Sequence, residues 1–400
     1  MNFLLRPIIF IAMTTCGAMA ANSQYKFFTP EGSFAIEVSM ENTNLKRLPI
    51  YRNEITSLLV VDNYILGGTT ATDDSSPFVF TASLSKREVV DILDVSRIVK
   101  NQQKISSGFV EGNEGQHYVG TIPQSLNESG HLLAVHLEIE GEIEIRDLGI
   151  PVPGEGVYSL TGDDSNETLY GLTYPSGYFF SFDIKSGRAI VFEETVPSDK
   201  EVNSLKEQFS LQPDDYLSRA LILDSKGNVY GSLPYGKLFC YDSKSESIIE
   251  LNVDLPFVWG RRSLGQIQCW LKTREGRIYG ANRADGQLFE FKAETHQILN
   301  LGKPLMFPGI DGLVQGADGK IYGIGGRIKG YTHLFSYDEG EGFIDYGNPQ
   351  FMMKSPGIEQ GIEWRGFQLS TITTSEDRNY IVMGEGESLS QLMVFSITKK

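Results

Sequence analysis

The chain has 400 residues, of which 40% are hydrophobic, and a formal net charge of −16 at pH 7. This charge argues against a nucleic-acid-binding protein, because no stripe of Lys and Arg is present to neutralise phosphates. Length alone would suggest two or three domains. No Pro/Ser-rich linker divides the chain, so we expect one large domain.

The first twenty residues predict a cleavable signal peptide. Arg6 precedes an apolar run at 7–13, and Ala18-Met19-Ala20 has the small-x-small pattern of a cleavage site. The apolar run is too short to span a bilayer. We therefore expect cleavage after Ala20, secretion or export to the periplasm, a mature domain over 21–400, and no membrane span.

An internal repeat is the strongest signal in the mature chain. Leu-Tyr-Gly, Val-Tyr-Gly or Ile-Tyr-Gly occurs at 169–171, 229–231, 278–280 and 321–323, and each copy is followed by Phe-Phe or Leu-Phe. Weaker copies lie at 65–68, 117–120 and 380–384. Short runs rich in Val, Ile, Leu, Phe and Tyr between Asp/Gly/Ser/Asn turns are typical of strands and hairpins. A period of about 45–60 residues with four strands is typical of β-propeller blades.

The number of copies predicts an all-β, seven-bladed β-propeller. Six copies have all four strands, named A to D, and they begin near Ile55, Ser107, Val157, Ser218, Gln266 and Gly309. The seventh has strands A to C near 367–373, 379–384 and 391–397, after which the chain ends. We expect the segment 34–39 to supply its missing strand D, because pairing the two ends closes the ring and removes an exposed edge.

The two faces of such a propeller differ in composition. The A–B turns are short and often acidic, whereas the B–C and D–A connections, which share the other face, are longer. The latter carry basic and aromatic residues: Lys104, Tyr174, Tyr235, Trp259, Arg261, Arg262, Arg283, Lys303, Arg327, Lys329, Trp364 and Arg365. The longest connection, roughly 194–217, could flank or cover a site there. Because Arg binds carboxylate or sulfate in bidentate fashion, we expect a locally positive groove for an anionic polysaccharide.

Five histidines are present, without the spacing of a metal site. A single His on a strand is usually structural. Three of the five, however, fall in one blade, and His136 replaces the Asp that ends strand C in three other blades. This departure from the repeat indicates a specific role for His136.

The seven-bladed architecture, the signal peptide and the Tyr-rich repeat resemble the β-propeller polysaccharide lyases that cleave ulvan. Those enzymes use two histidines of an early blade, spaced much like His117 and His136, together with a Tyr and an Arg from the following blade. The resemblance therefore implies catalytic roles for His117, His136, Tyr174 and Arg188. It also implies β-elimination at a uronate, without a metal ion or an organic cofactor.

The same resemblance and the composition of the rim suggest residues that bind the substrate. These are Tyr178, Tyr230, Tyr235, Arg261 and Arg283. Tyr178 is also the second choice for the catalytic Tyr, and Tyr230, as part of the repeat, has a purely structural interpretation as well. We expect the protein to be a monomer.

Other functions stay open at this point. A propeller that binds glycan or protein at the same rim without catalysis is the main alternative, since fold does not determine function. Glycoside hydrolysis would need two facing carboxylates, for which Asp73, Asp74, Asp285 and Glu363 are available but not visibly paired. A metal-dependent lactonase is a further alternative.

Overall fold

The computed structural model describes residues 27–28, 31–38, 52–106, 108–163, 167–257, 266–327, 330–352, 364–365, 367–387 and 390–397. The signal peptide predicted at 1–20, Ser107 and Arg261 lie outside these residues. Strands are the main regular structure of the described chain, and they form seven blades around a central channel. The predicted fold class is confirmed.

The strands of each blade follow one another from the channel outwards, in the order A, B, C, D. Blade 1 contains Asn53–Val61, Tyr64–Ala71, Phe78–Ser83 and Glu88–Asp94. In blade 2, strand A is interrupted, as Gln102–Ile105 and Val110–Glu111, and is followed by Gln116–Pro123, Leu132–Leu137 and Ile143–Gly149. Blade 3 contains Gly156–Asp163, Thr168–Tyr174, Tyr178–Asp183 and Arg188–Thr195.

The second half of the ring repeats this order. Blade 4 contains Ile222–Leu223, Val229–Leu233, Lys237–Asp242 and Ser247–Asp254. Blade 5 contains Ile267–Lys272, Ile278–Asn282, Leu288–Lys292 and Gln297–Gly302, and blade 6 contains Ile310–Gln315, Ile321–Gly325, His333–Asp338 and Gly342–Pro349. Blade 7 contains Leu369–Thr374, Tyr380–Glu385 and Gln391–Ser396.

The N-terminal segment completes blade 7, as predicted. Phe34–Glu37 pairs antiparallel with Gln391–Ser396, with Phe34 opposite Val394 and Glu37 opposite Gln391. Ile36 and Val38 are fully buried at this junction. The two ends of the described chain are therefore held together in one sheet, and strand C of blade 7 is not an exposed edge.

The remaining elements are short. Phe27–Phe28 runs parallel to strand D of blade 6, and Phe351–Met352 pairs with Trp364–Arg365. The α-helix Asp199–Gln208 lies between blades 3 and 4, and 3-10 turns occur at Val95–Arg97, Asn113–Gly115, Pro213–Asp215 and Pro234–Gly236. In the part of the chain that the structure describes, no helix is both long and apolar enough to cross a membrane.

The packing of the blades explains the Tyr-Gly repeat. In strand B of blade 4, Gly231 lies opposite Phe239 of strand C, and a Cβ at Gly231 would collide with the phenyl ring. The same pairing joins Gly171 to Phe180, Gly280 to Phe289 and Gly323 to Phe335. Each ring lies over a residue without a side chain, which lets the Phe fill the core between neighbouring blades.

Candidate functional site at the channel mouth

The central channel forms a cavity of about 840 Å³ that is lined by the innermost strands of all seven blades. At its B–C/D–A end, ionisable side chains from six blades and one connection meet. We call this group the mouth cluster: Glu54, Lys104, Tyr158, Asp214, Arg219, Arg283, Asp311 and Arg327. Four of the eight are cationic, in a chain whose net charge is −16.

A bulge at the start of strand A directs several side chains into the mouth. In blade 3, Tyr158 is the extra residue between the paired Val157 and Ser159. The equivalent extra residues in blades 1, 5, 6 and 7 are Thr56, Gln268, Asp311 and Ser370, and all five line the channel. Bulges of this kind commonly re-aim a side chain at the rim of a closed β-structure.

Asp214 joins three blades at the mouth. The Tyr158 hydroxyl donates to Asp214 Oδ1 at 2.7 Å, and Arg219 Nη2 lies 3.1 Å from the same oxygen. Arg283 Nη1 donates to the backbone carbonyl of Asp214. A single residue of a connecting segment thus accepts hydrogen bonds from blades 3, 4 and 5.

The segment that carries Asp214 is residues 196–217, which we call the strap. Its helix Asp199–Gln208 begins with a capping box, in which the Ser198 side chain accepts from Glu201 N and the Glu201 carboxylate accepts from Ser198 N. Val202, Leu205 and Leu217 of the strap pack in one apolar cluster with Tyr158. The strap therefore lies against the mouth, as expected for the longest connection on this face.

Burial shifts the protonation of several residues in the mouth cluster. It lowers the pKa of Lys104 and also that of Arg283, which is less completely buried. It also raises the pKa of Asp311 and Glu54, although the neighbouring Arg327 opposes both increases. Desolvation is the largest cause in all four cases, so the charged forms are held in a poorly hydrated place.

The guanidinium groups are incompletely paired within the described chain. Arg219 Nε and Arg327 Nε are buried and have no hydrogen-bond partner among the described residues. The Arg327 Nη2 atom lies 4.0 Å from Asp311 Oδ1, at the limit of an ion pair. The cluster therefore keeps donors that an anionic ligand could use.

Four residues predicted from the sequence lie on this face. Arg283 belongs to the mouth cluster, and Tyr174 stacks on Tyr158 with ring centroids 5.6 Å apart. Tyr178 is the first residue of strand C in blade 3 and is half-buried. Tyr235 is 54% exposed and is held at a φ of 60° in the B–C connection of blade 4, in the left-handed region that bulky residues rarely adopt.

The predicted histidine pair lies elsewhere. His117 follows the A–B turn of blade 2, and His136 precedes the C–D turn, so both are at the face opposite Tyr174. His117 pairs with Val135, and His136 pairs with Gln116. Because alternate residues of a strand point to opposite sides, the two imidazoles project from opposite sides of the sheet. The structure does not bring them together with Tyr174.

The two histidines have different local settings. His117 is 5% exposed, and burial, followed by the nearby His136, lowers its pKa to about 4. The His136 Nδ1 atom lies 3.2 Å from the carbonyl oxygen of Gly115, in the preceding turn. Arg188, at the start of strand D in blade 3, is exposed on the same A–B/C–D face and lies opposite Asp183.

Tyr230 takes the structural role that the sequence left open. Its side chain is fully buried between blades 4 and 5, and its hydroxyl donates to Asp224 Oδ2 at 3.0 Å. Asp224 closes the A–B turn by accepting from Lys226 N and Asn228 N. Tyr322 makes the same bond to Asp318 in blade 6. In blades 4 and 6 the Tyr of the repeat thus stabilises the A–B turn and does not line the channel.

Sequence reasoning found Lys104, Arg283 and Arg327 through the composition of the connections. It missed Glu54, Tyr158, Asp214, Arg219 and Asp311. Glu54, Tyr158 and Asp311 stand among the first residues of an innermost strand, and Arg219 lies three positions before one. An ionisable residue or Tyr at that position in the aligned copies was the available signal. Within the described ranges, no cluster of three His, Cys, Asp or Glu side chains forms a metal site.

The fold and the charged channel mouth place the chain in a class: it is a seven-bladed β-propeller. No protein-family model matches it, and no curated relative matches it. Virginiamycin B lyase from Staphylococcus aureus is similar in structure, with a TM-score of 0.58 at 9% identity over 92% of this chain and 100% of that one.

Two further solved structures are similar. The extracellular domain of a putative hybrid two-component system from B. thetaiotaomicron has a TM-score of 0.57 at 12% identity, covering 88% of this chain and 39% of that one. A periplasmic gluconolactonase from Pseudomonas aeruginosa has a TM-score of 0.51 at 11% identity, over 73% of this chain and 85% of that one. At such identities the three structures support the fold alone.

Proposed function

We propose that this protein is an exported, monomeric β-propeller that binds an acidic polysaccharide at the mouth cluster. The observation that carries the proposal is the gathering of Lys104, Arg219, Arg283 and Arg327 at a buried channel mouth of a strongly acidic chain. Burying like charges is costly unless an opposite charge compensates them. Asp214, Asp311 and Glu54 compensate in part, and the donors left over suit a ligand anion.

The surroundings favour a saccharide over a small inorganic anion. The cavity of about 840 Å³ has the size of an organic-ligand pocket. Tyr174 stacks on Tyr158, which lines the cavity, and Tyr235 presents an exposed ring on the same face. Aromatic rings supply apolar surface on which a sugar ring can stack, and strained backbone such as that of Tyr235 is concentrated at ligand sites.

The test is binding of the mature protein to ulvan, alginate, pectate and chondroitin sulfate, with a neutral glucan as the negative control, measured by calorimetry. Arg283→Gln should weaken the binding of an acidic polymer by roughly tenfold or more, since a hydrogen bond to a charged group contributes about 1.5–3 kcal/mol. The loss should be larger at low salt.

Arg188→Gln is the matched control, because it removes an exposed guanidinium from the opposite face. We expect this variant to bind like the unaltered protein. Binding that is weakened by Arg188→Gln and unaffected by Arg283→Gln would move the site to the A–B/C–D face and contradict the proposal.

β-Elimination at the bound uronate is a second candidate function, and Lys104 is the observation that favours it. Elimination requires cations that neutralise the uronate carboxylate and a base that removes the adjacent proton. Burial lowers the pKa of Lys104, which makes the neutral amine more available as a base. The charge of Arg219 acts on Lys104, and Tyr158 bonds the same Asp214 oxygen as Arg219, so these two residues could supply the neutralising cation and a phenol donor.

The version of this reaction that the ulvan-lyase resemblance implies, with His117, His136, Tyr174 and Arg188, is tested in the same assay. Elimination creates a C4–C5 double bond conjugated to the carboxylate, which absorbs in the near ultraviolet, whereas binding alone creates none. Lys104→Gln should lower the rate by about 10²-fold or more if Lys104 is the base. A loss confined to His117→Ala and His136→Ala would favour the histidine version, and no absorbance with any polymer would leave binding as the function.

A further inference from the structure

The strap places a carboxylate where a ligand carboxylate would bind. Asp214 Oδ1 accepts from the Tyr158 hydroxyl at 2.7 Å and lies 3.1 Å from Arg219 Nη2. A phenol and a guanidinium that converge on one oxygen are a typical recognition pattern for a carboxylate. Both donors belong to the blades, whereas Asp214 belongs to the strap that crosses the face.

Asp214 is also electrostatically coupled to the rest of the mouth cluster. Its charge acts on Lys104, on Arg283 and on the phenol of Tyr174. The Asp214 side chain nevertheless remains 42% exposed, against 25% for Arg219. An external anion can therefore approach Arg219 from solvent, and it reaches the nearly buried Tyr158 hydroxyl once the Asp214 side chain has moved.

The Asp214 carboxylate can leave without unfolding the strap. Arg283 binds the backbone carbonyl of Asp214, and Leu205, Tyr216 and Leu217 anchor the strap in the apolar cluster beside Tyr158. Rotation of the Asp214 side chain alone would release Tyr158 and Arg219. Such a rotation costs little compared with moving a packed segment.

We infer that Asp214 occupies the carboxylate subsite of the ligand, and that a uronate carboxylate displaces it to bind Tyr158 and Arg219. The inference rests on the proposed function, and it adds the position of the ligand carboxylate and an internal competitor for it. The affinity of the unaltered protein is then the intrinsic affinity reduced by the competition from Asp214.

The experiment compares the mature protein with its Asp214→Asn variant, using tri-galacturonate as the probe in calorimetry. The Asn oxygen can still accept from Tyr158, but the competing charge is gone. We expect Asp214→Asn to bind tri-galacturonate about two- to fivefold more tightly, the range that corresponds to a partly exposed ion pair. Asp199→Asn, which removes the same charge from the strap helix away from the mouth, should leave the affinity unchanged.

Two comparisons make the result decisive. Dextran sulfate, which carries no carboxylate, should gain less from Asp214→Asn than tri-galacturonate does, and an equal gain would show general charge relief and overturn the carboxylate position. Unchanged or weaker binding of tri-galacturonate by Asp214→Asn, with the unaltered protein binding it normally, would overturn the inference and leave the proposed function intact. Absence of binding by all three proteins would overturn the proposed function itself.

Discussion

The two ends of the blades both pair a Tyr hydroxyl with an Asp carboxylate, and the two pairs differ in every other respect. At the A–B turn of blade 4, Tyr230 binds Asp224, which lies six positions earlier and is also held by two backbone amides of its own turn. At the channel mouth, Tyr158 binds Asp214, which lies 56 positions away in the strap.

This difference separates a pair that belongs to the scaffold from a pair at the proposed ligand site. The turn pair is repeated in blade 6 by Asp318 and Tyr322, and in blade 4 it is nearly sealed from solvent, because Asp224 is only 5% exposed. The mouth pair is not part of the repeat, has a half-exposed carboxylate and adjoins cations of other blades. Local, repeated and saturated contacts stabilise a blade, whereas distant and unsaturated contacts leave chemistry available to a ligand.

The largest expected effect comes from removing the strand that closes the ring. Deletion of residues 21–38 from the mature protein should cause aggregation or a large fall in the melting temperature, because it exposes Gln391–Ser396 as an edge and removes the buried Ile36 and Val38. Each such side chain contributes roughly 1.5–3 kcal/mol. Deletion of 21–26 is the control. A soluble 39–400 protein with an unchanged melting temperature would show that closure does not matter for stability.

A smaller effect should come from His117, at the same end of its blade as the turn pairs. Its pKa is about 4 in the folded protein and 6.5 as the ordinary value, so protonation favours the unfolded chain. Above pH 6.5 this histidine should not lower the free energy of unfolding. As the pH decreases to 4, the free energy of unfolding should fall by about 3 kcal/mol.

The variant His117→Leu should lose this component of the pH dependence while remaining folded at pH 7, as measured by urea denaturation across the pH range. An unchanged pH profile of stability, combined with loss of near-ultraviolet product in the elimination assay, would assign His117 to catalysis and not to the blade.

The smallest effects are expected when the Asp of each Tyr–Asp pair is replaced by Asn. Asp224→Asn should lower the free energy of unfolding by roughly 2 kcal/mol, because Tyr230 and Asn228 lose a buried charged acceptor. Asp214→Asn should cost less than about 1 kcal/mol, since its ion pair is partly exposed. Equal losses of unfolding free energy for the two variants, measured by chemical denaturation, would contradict the distinction between the two Tyr–Asp pairs.

Much of the fold could be predicted from the sequence, because its causes are local and repeated. The Tyr-Gly and Leu-Phe copies mark strands B and C, and the copy at 229–231 lies within the observed strand Val229–Leu233. The closure by Phe34–Glu37 followed from counting strands, since a blade without its fourth strand leaves an edge that a free segment can cover.

The channel mouth could be predicted only in part. Composition located the basic connections, but Asp214 meets Tyr158 and Arg283 across separations of 56 and 69 positions, which no repeat encodes. The bulge at Tyr158 adds one residue to strand A of blade 3, and the residue types of that strand do not indicate where the bulge lies. The projection of His117 and His136 from opposite sides of the sheet was easier to predict, because pairing strands B and C in register already places them so.

The bulge at the start of strand A gives the propeller a ring of variable positions. Thr56, Tyr158, Gln268, Asp311 and Ser370 each stand outside the hydrogen-bonded register of their strand, and the hydroxyls of Thr56 and Ser370 also donate to backbone carbonyls of the neighbouring blade. A substitution at Tyr158, Gln268 or Asp311 would change the chemistry of the mouth without removing a hydrogen bond between strands. This backbone therefore lets the character of the mouth change one residue at a time.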